Sequence, residues 1–396
     1  MNGSWNATTA DHHALLLKHA AAAESIAELF RVTSQHLRRL IPYDGSGWFA
    51  TDPATGLPTA PSRAESVCSH DPDVCMAYWE REFLTQDVNL FRDLARAPVP
   101  AAALRAATRD RPARSARYLE FVRPWGFGDE LRVVLRAGRG AWGYVALLRK
   151  QGRPAFDTHE IELAASLSTP LAEAIRVHAQ QPARPLVPGE GHEPGLMLFS
   201  SDGVLISSND AAHGWLEEVR GDCFVDPPRL AAPGVLEAPD AASPPMVVFG
   251  TLMQARAIAE ARERGIARAR LRSPVTGQWV VCHASCLRNP DGRPGNLALV
   301  IEPAKAAEIA PIIVQAYELS PREQEITQLI AQGAATAEIA GRLSLSAHTI
   351  RDYIKAIFEK VGVSSRGELV ARLFAEHYAP LHFEPGNLDA AACPEE

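Results

Sequence analysis

Leu15, Leu16, Ile26, Leu29, Phe30, Leu37 and Leu40 recur at helical spacing and predict an amphipathic helix of several turns. The stretch SGWFATDPATGLP then alternates and breaks at DPATG, which predicts strand, turn and strand. LRVVLRAG and GAWGYVALLRK read as two further strands joined by a tight Gly-Arg-Gly turn. The helical period returns from Thr158 to Ala179. A helix, a set of antiparallel strands and a closing helix make an α+β unit. A second set begins with GLMLFSSDGVLISSNDAAHGWL: alternation, a Ser-Asp-Gly turn, more alternation and a helix start at Asn209 or Asp210. VVFGTLMQARAIAEARERG follows as a helix. ARARLRSPVTGQWVVCHASCLRNPDGRPGNLALVIEP reads as three strands with PVTG and NPDG as turns.

Between these sets, His178 to Gly195 holds four prolines and three glycines and almost nothing able to pack, the composition of a linker. A weaker break is expected from Glu302 to Pro311, where a Val/Leu/Ile run ends at a proline. The predicted organisation is an α+β unit at 1–180, a linker at 181–194, a second α+β unit at 195–303, a helical domain at 312–378 and a polar tail at 379–396. The turn-separated strand pair followed by PAFDTHEIELAASLSTPLAEAI resembles the end of a GAF domain, a small-molecule sensing fold, and the likeness spans about 15–180. The order of elements in the second unit resembles a PAS domain.

The helical segment carries the most chemistry. Ser320 is a good N-cap, Pro321 suits the first helical position and Glu323 completes a capping box. Ile326, Leu329 and Ile330 follow at helical spacing, and Gly333 sits where a left-handed C-cap belongs. Thr336 is expected to cap a short second helix with Ile339, Ala340 and Leu343 inward, and the small Ala340 and Gly341 to let two helices cross closely. After Ser344-Leu345, too short for more than a tight turn, Ser346 caps a third helix whose apolar positions are Ile350, Ile354, Ile357, Phe358 and Val361. Gly362 ends it. Ser365 and Glu368 form a capping box for a fourth helix through Val370, Leu373 and Phe374. Two helices joined by a tight turn within such a set are a helix-turn-helix.

SPRE, the EIA of the second helix, the S-x-x-T-I-R start of the third and the K-V-G-V after it resemble the DNA-binding domain of LuxR-type transcriptional regulators, over about 316–378. The resemblance implies an all-α four-helix domain whose third helix enters the major groove of double-stranded DNA and whose fourth supports a homodimer. It places Arg351, Asp352 and Lys355 at base-facing positions and makes Ser346, His348, Thr349, Tyr353, Lys360 and Arg366 candidates for backbone contacts. RNA polymerase is a further implied partner if the protein activates. Asp352 departs from the pattern: a carboxylate near phosphates is repelled unless it accepts from a cytosine amino group or pairs with Arg351 or Lys355. From 316 to 378 there are seven Lys/Arg and eight Asp/Glu, a net of -1, so a lone copy is expected to bind poorly and a dimer to bind a two-fold related operator.

The 396-residue chain has a net charge of -7, which excludes coating nucleic acid by bulk charge and confines any DNA-binding surface to a local patch. Six scattered cysteines do not make a disulfide framework and fit a reducing compartment. With no export signal and no apolar run near the ~20 residues of a membrane span, a cytoplasmic location is expected. Phosphate-loop, dinucleotide and nucleophile-elbow motifs are absent, so an enzyme is not expected, and no cofactor is implied. The spacing of Cys68, His70 and Cys75 fits no common zinc site. Cys282, His283 and Cys286 read as strand packing. Residues 1–180 hold 16 of the 27 Phe, Trp and Tyr, which read first as an ordinary aromatic core, and Trp79, Phe83, Trp125 and Phe127 are candidates to line a pocket for a small apolar ligand. YWEREFLTQDVN also resembles part of the acyl-homoserine-lactone sensing domain, with Val88 where a proline is expected. Arg92 to Arg123, with eight Arg and three acids, reads first as a solvated face. The rival to a regulator is a signalling or ligand-binding adaptor whose last domain docks protein.

Overall fold

The structure, a computed structural model, describes residues 7–67, 72–180, 193–220, 224–226 and 245–375. The chain begins with α1 (Ala7–Ala21) and α2 (Ile26–Leu40), then β1 (Gly45–Thr51), β2 (Pro58–Glu65) and α3 (Pro72–Leu84). The single turns α4 (Phe91–Leu94) and α5 (Leu104–Ala107) flank β3 (Ala101–Ala103). The long hairpin β4 (Phe127–Ala137) and β5 (Gly140–Lys150) follows, closed by α6 (Thr158–Ser166) and α7 (Ser168–Ala179). The one N-terminal helix expected from periodicity is two. Ser25 caps α2 by accepting from the Glu28 N–H at 3.1 Å, and Glu28 returns the bond to the Glu24 N–H at 3.0 Å. An internal start signal of this kind overrides a continuous apolar period.

The first sheet runs β3-β4-β5-β1-β2. A short strand from far along the chain, β8 (Phe224–Asp226), adds in parallel beyond β2 and makes six. The second sheet uses β6 (Gly195–Phe199), β7 (Leu205–Ser208), β9 (Arg268–Arg272), β10 (Trp279–Arg288) and β11 (Pro294–Pro303) in the order β7-β6-β11-β10-β9, antiparallel throughout. Two helices, α8 (Asp210–Arg220) and α9 (Met246–Ala259), lie in the connection between its hairpin and its three-strand meander.

The two sheet units share a core. α9 buries ten of its residues, and such a helix needs apolar partners on more than one side. It packs on β10 and β11 of its own unit and on α3 and β2 of the other. Gly250 makes the close approach possible, since a Cβ there would lie 2.6 Å from Pro58 Cγ. Asp52 of the first unit, fully buried, accepts from Arg270 of the second at 2.8 Å, and Arg92 pairs with Glu263 at 2.8 Å.

The Arg-rich stretch is not a uniform solvated face. Arg96, Arg109, Arg111, Arg114 and Arg123 are exposed, but Arg117 is buried and, with Arg132 of β4, flanks the buried Glu130, at 2.8 and 3.1 Å; Arg132 also donates to Glu82 at 2.8 Å. Burial opposes ionisation of Glu130, but the two guanidinium groups outweigh it and hold its carboxyl below the usual range.

β11 ends at Pro303, and only Ala304 and Lys305 separate it from the next helix, so the weaker break is two residues long. After β11 the chain forms α10 (Ala306–Ala316), which continues through Pro311. Ile309, Ile312 and Ile313 are buried in a cluster that joins α1, α2 and α7 to the C-terminal helices. Those helices are α11 (Pro321–Ala331), α12 (Thr336–Leu343), α13 (Ala347–Val361) and the short α14 (Arg366–Val370), which widens into a last turn at Ala371–Ala375. No helix among the described residues is long and apolar enough to cross a membrane. Most of the expected linker, residues 181–192, lies outside the described residues, as do Cys68, His70 and the tail after 375.

Candidate nucleic-acid interface

Local signals place the third helix. Ser320 caps α11 by accepting from Glu323 N–H at 3.3 Å, while Glu323 accepts from Ser320 N–H at 2.6 Å. Ile326 and Ile330 are buried, and Gly333 closes the helix at φ +82°. α12 starts one residue earlier than its expected cap: Ala335 is the N-cap, its N–H donates to Glu338 at 2.8 Å, and Thr336 is the first helical residue. Ser344 takes the left-handed conformation at φ +54°, and the Leu345 N–H donates back to the Ala340 carbonyl at 3.0 Å. The tight turn between α12 and α13 is built from these two features. Ala340 is buried in the crossing, whereas Gly341 faces open space and takes no part in it.

α13 is two-sided. Ile350, Ile354, Ile357 and Val361 are buried along one stripe. Ser346 accepts from the Thr349 N–H at 3.0 Å, and Gly362 ends the helix at φ +71°. On the other side the His348, Asp352 and Lys355 side chains are 81%, 66% and 80% exposed, with Arg351 exposed beside them. Asp352 lies 3.8 Å from His348, one turn back, rather than pairing with Arg351 or Lys355, and Lys355 lies 4.0 Å from Glu359. Contacts of this length between solvated groups hold little energy, so the face is free to re-pair.

Five of the nine expected contact residues are engaged inside the domain. Lys360 donates to Glu323 at 2.6 Å and to the Glu318 carbonyl at 3.2 Å. Burial works against the Glu323 charge, but hydrogen bonds from Lys360 and Ser320 outweigh it and hold the carboxyl below its usual range. Arg366 donates to the Ala334 carbonyl and to Thr336 Oγ1, both at 2.7 Å, and so ties α14 to the start of α12. Tyr353 is half-buried against the core, and the Ser346 hydroxyl is committed to its cap. Thr349 is half-buried, with its hydroxyl 2.9 Å from that of Ser346, and His348, Arg351, Asp352 and Lys355 remain together on one exposed face.

The four aromatic pocket candidates do not gather. Trp79 and Phe83 stack with ring centroids 6.1 Å apart in the core shared by the two units, and the Trp79 indole N–H donates to Met246 Sδ at 3.2 Å. Phe127 packs with Val122 and Leu148 in a separate cluster, against which Trp125 rests. Cys282 is buried and burial pushes its thiol up to about 12, as strand packing implies. Among the described residues no group of three His, Cys, Asp or Glu is placed to hold a metal ion.

A family described as bacterial regulatory proteins, luxR family, matches residues 317–373, from the end of α10 into the last turn. The transcriptional regulatory protein DesR of Bacillus subtilis is 43% identical over 58 residues, 15% of this chain and 29% of DesR. The spore germination protein GerE of Bacillus subtilis is 38% identical over 55 residues, 14% of this chain and 74% of GerE. This chain thus spans less than a third of DesR but most of GerE. The crystal structure of SdiA from Escherichia coli aligns over 93% of this chain and 98% of SdiA at 12% identity, with a TM-score of 0.33, too low to bear on the sheet units. On the match to its four C-terminal helices and on the coverage of GerE, the chain belongs to the luxR family of bacterial regulatory proteins.

Proposed function

We propose that the protein is a sequence-specific DNA-binding transcriptional regulator in which α13 enters the major groove, acting as a homodimer. The observation that carries the reading is the exposed polar face of α13: His348, Arg351, Asp352 and Lys355 on one side, with a buried aliphatic stripe holding the other. Arg351 and Lys355 suit guanine O6 and N7, and Asp352 suits a cytosine amino group. The internal pairing of Lys360 and Arg366 leaves few cations to meet phosphates, which favours two copies on a two-fold related site over one.

The regions before α10 serve as the sensory module in this reading, a GAF-like unit followed by a PAS-like one. The five-stranded antiparallel order and the helices between hairpin and meander support the second assignment. Selection of DNA from a random pool with the full chain tests the proposal. A recovered site with two half-sites about one helical turn apart is expected. Recovery of no enriched sequence, or binding that does not weaken with salt, would assign the helical domain to docking protein instead.

A further inference from the structure

β7 is the end strand of the second sheet, and its outer side pairs with nothing among the described residues. Of the eleven large aliphatic side chains exposed among those residues, four fall on the hairpin of β6 and β7: Leu196, Val204, Leu205 and Ile206, between 41% and 63% exposed. All four residues of β7 are exposed. Ile206 is the extra residue of a bulge and has no partner on β6, since Leu205 pairs with Phe199 and Ser207 with Leu198.

The opposite end of the same sheet is built differently. β9 alternates Arg268, Arg270 and Arg272 and lies against β2 of the first unit, where Arg270 meets Asp52. Charge and cover are how proteins protect an end strand from pairing. β7 has neither: from Gly195 to Asn209 the one charged residue is Asp202, in the turn.

We propose that β7 pairs antiparallel with β7 of a second copy, joining two five-stranded sheets into one. The chain has a net charge of -7, so two copies repel overall, and β7 is a stretch where neither is charged. An antiparallel edge is self-complementary. One two-fold axis normal to the sheet closes the pair and leaves no edge for a third copy, because β9 is covered. That axis keeps both outer faces on one side. α9 packs on the inner face, whereas α10 starts on the outer one, with Glu308 of its first turn 3.3 Å from His283 and 3.5 Å from Arg268.

The spacing also suits a shared operator. β11, which leads into α10, lies two strands in from β7. Through Leu198, Ser207 is level with Ala298, and β11 runs on from there to Pro303. Across the pair, five strand spacings and that rise on each side put the two starts of α10 about 40 Å apart. Half-sites one helical turn apart are separated by about 34 Å, so both helix-turn-helix units stay within reach of one duplex. The role on DNA rests on the regulator reading; the pairing itself does not. The four side chains offer on the order of a few hundred Å² per copy, below the ~800 Å² per partner of a stable complex. A micromolar dimer is therefore expected without DNA.

Sedimentation velocity of the full chain from about 1 to about 200 µM should show reversible exchange of monomer and dimer. Ile206→Lys puts a lysine of each copy on the pairing edge and should weaken the dimer about tenfold or more. Ile266→Lys changes an exposed aliphatic residue away from that edge and should dimerise like the parent. Circular dichroism and melting curves establish that both variants fold. Amide exchange in β7 should slow as concentration rises. Protection that is equal at every concentration gives the edge to a segment of this chain outside the described residues and overturns the pairing. A parent that stays monomeric, or equal loss in both lysine variants, also overturns it. If Ile206→Lys dimerises like the parent, the pairing fails while a homodimer through another surface stands. On a selected operator Ile206→Lys should weaken binding to the full site and leave a half-site unchanged; full-site binding that ignores it overturns the role on DNA. If the chain selects no DNA, the regulator reading fails while sedimentation still decides the pairing.

Discussion

Two lysines on α13 should behave oppositely when removed, although both stand at expected DNA-contact positions. Lys355 is 80% exposed, and its neighbour Glu359 is 70% exposed at 4.0 Å. Truncating it should change folding by less than about 0.5 kcal/mol, the range of an exposed substitution. If it reads a base, it should cost about 1–3 kcal/mol of specific binding per half-site. For a dimer that is about 2–6 kcal/mol, a thirty-fold loss at the least. Lys360, by contrast, reaches Glu323, whose side chain is only 6% exposed, and the Glu318 carbonyl. Its removal leaves a nearly buried carboxylate short of a donor at the cap of α11. With its own side chain 39% exposed and screened, about 1 kcal/mol of domain stability is the expected cost, with little change in binding once folded. Chemical denaturation gives the first quantity, and fluorescence anisotropy on a selected operator across a salt series gives the second. The reasoning fails if Lys360→Ala loses binding at unchanged stability, or if Lys355→Ala binds like the parent.

Glu130→Gln leaves Arg117 and Arg132 buried around a neutral amide and should cost about 3–5 kcal/mol in denaturant unfolding; a loss under about 1 kcal/mol would show that the two arginines find other compensation. The pH response of the helical domain follows from Glu323. Its native value is depressed, so its contribution is complete above the ordinary glutamate range and is lost as pH falls through the native value. Melting curves of the parent and of Glu323→Gln should therefore converge as pH falls from neutral through and below the ordinary glutamate range, and a gap that widens on acidification would reverse that sign.

Much of the helical domain is legible because its signals are local. Ser320 with Glu323, Gly333, Ser346 and Gly362 sit within one turn of the groups they cap, and the structure keeps each in place. What spacing cannot show is where a long side chain spends its charge. Lys360 reaches 37 residues back to Glu323 and Arg366 reaches 32 back to Ala334, so neither is recognisable as structural from its own helix. The same limit hides the role of Arg117, which lies outside the strand that carries Glu130 and Arg132 and yet pairs with Glu130. The expected start of the helical domain at 312 falls inside α10, because three buried isoleucines on both sides of Pro311 seat that helix in the core. The shared core has no local signature at all. Trp79 and Phe83 meet α9 through contacts more than 150 residues apart in sequence, so an aromatic core is legible from their composition but its partner helix is not.

How firmly α10 is seated decides what kind of signal it can carry. Ile309, Ile312 and Ile313 are each at most 2% exposed, and burying an isoleucine contributes about 1.5–3 kcal/mol, so lifting the helix away costs about 5–9 kcal/mol. The polar ties at its C-terminal end are weaker. Glu318 is half-exposed in its ion pair with Arg176, and such a pair contributes about 0–1 kcal/mol. Signalling by release of the helical domain therefore asks more than a ligand of ordinary affinity supplies, whereas a shift of α10 in its seat breaks only the polar ties. Amide hydrogen exchange separates the two. Arg176→Ala should speed exchange near Tyr317–Leu319 alone, while Ile313→Ala should raise it along the whole of α10 and cost about 2–5 kcal/mol. If Arg176→Ala instead opens all of α10, the charge pair rather than the aliphatic seat holds the helix-turn-helix, and release becomes the cheaper switch.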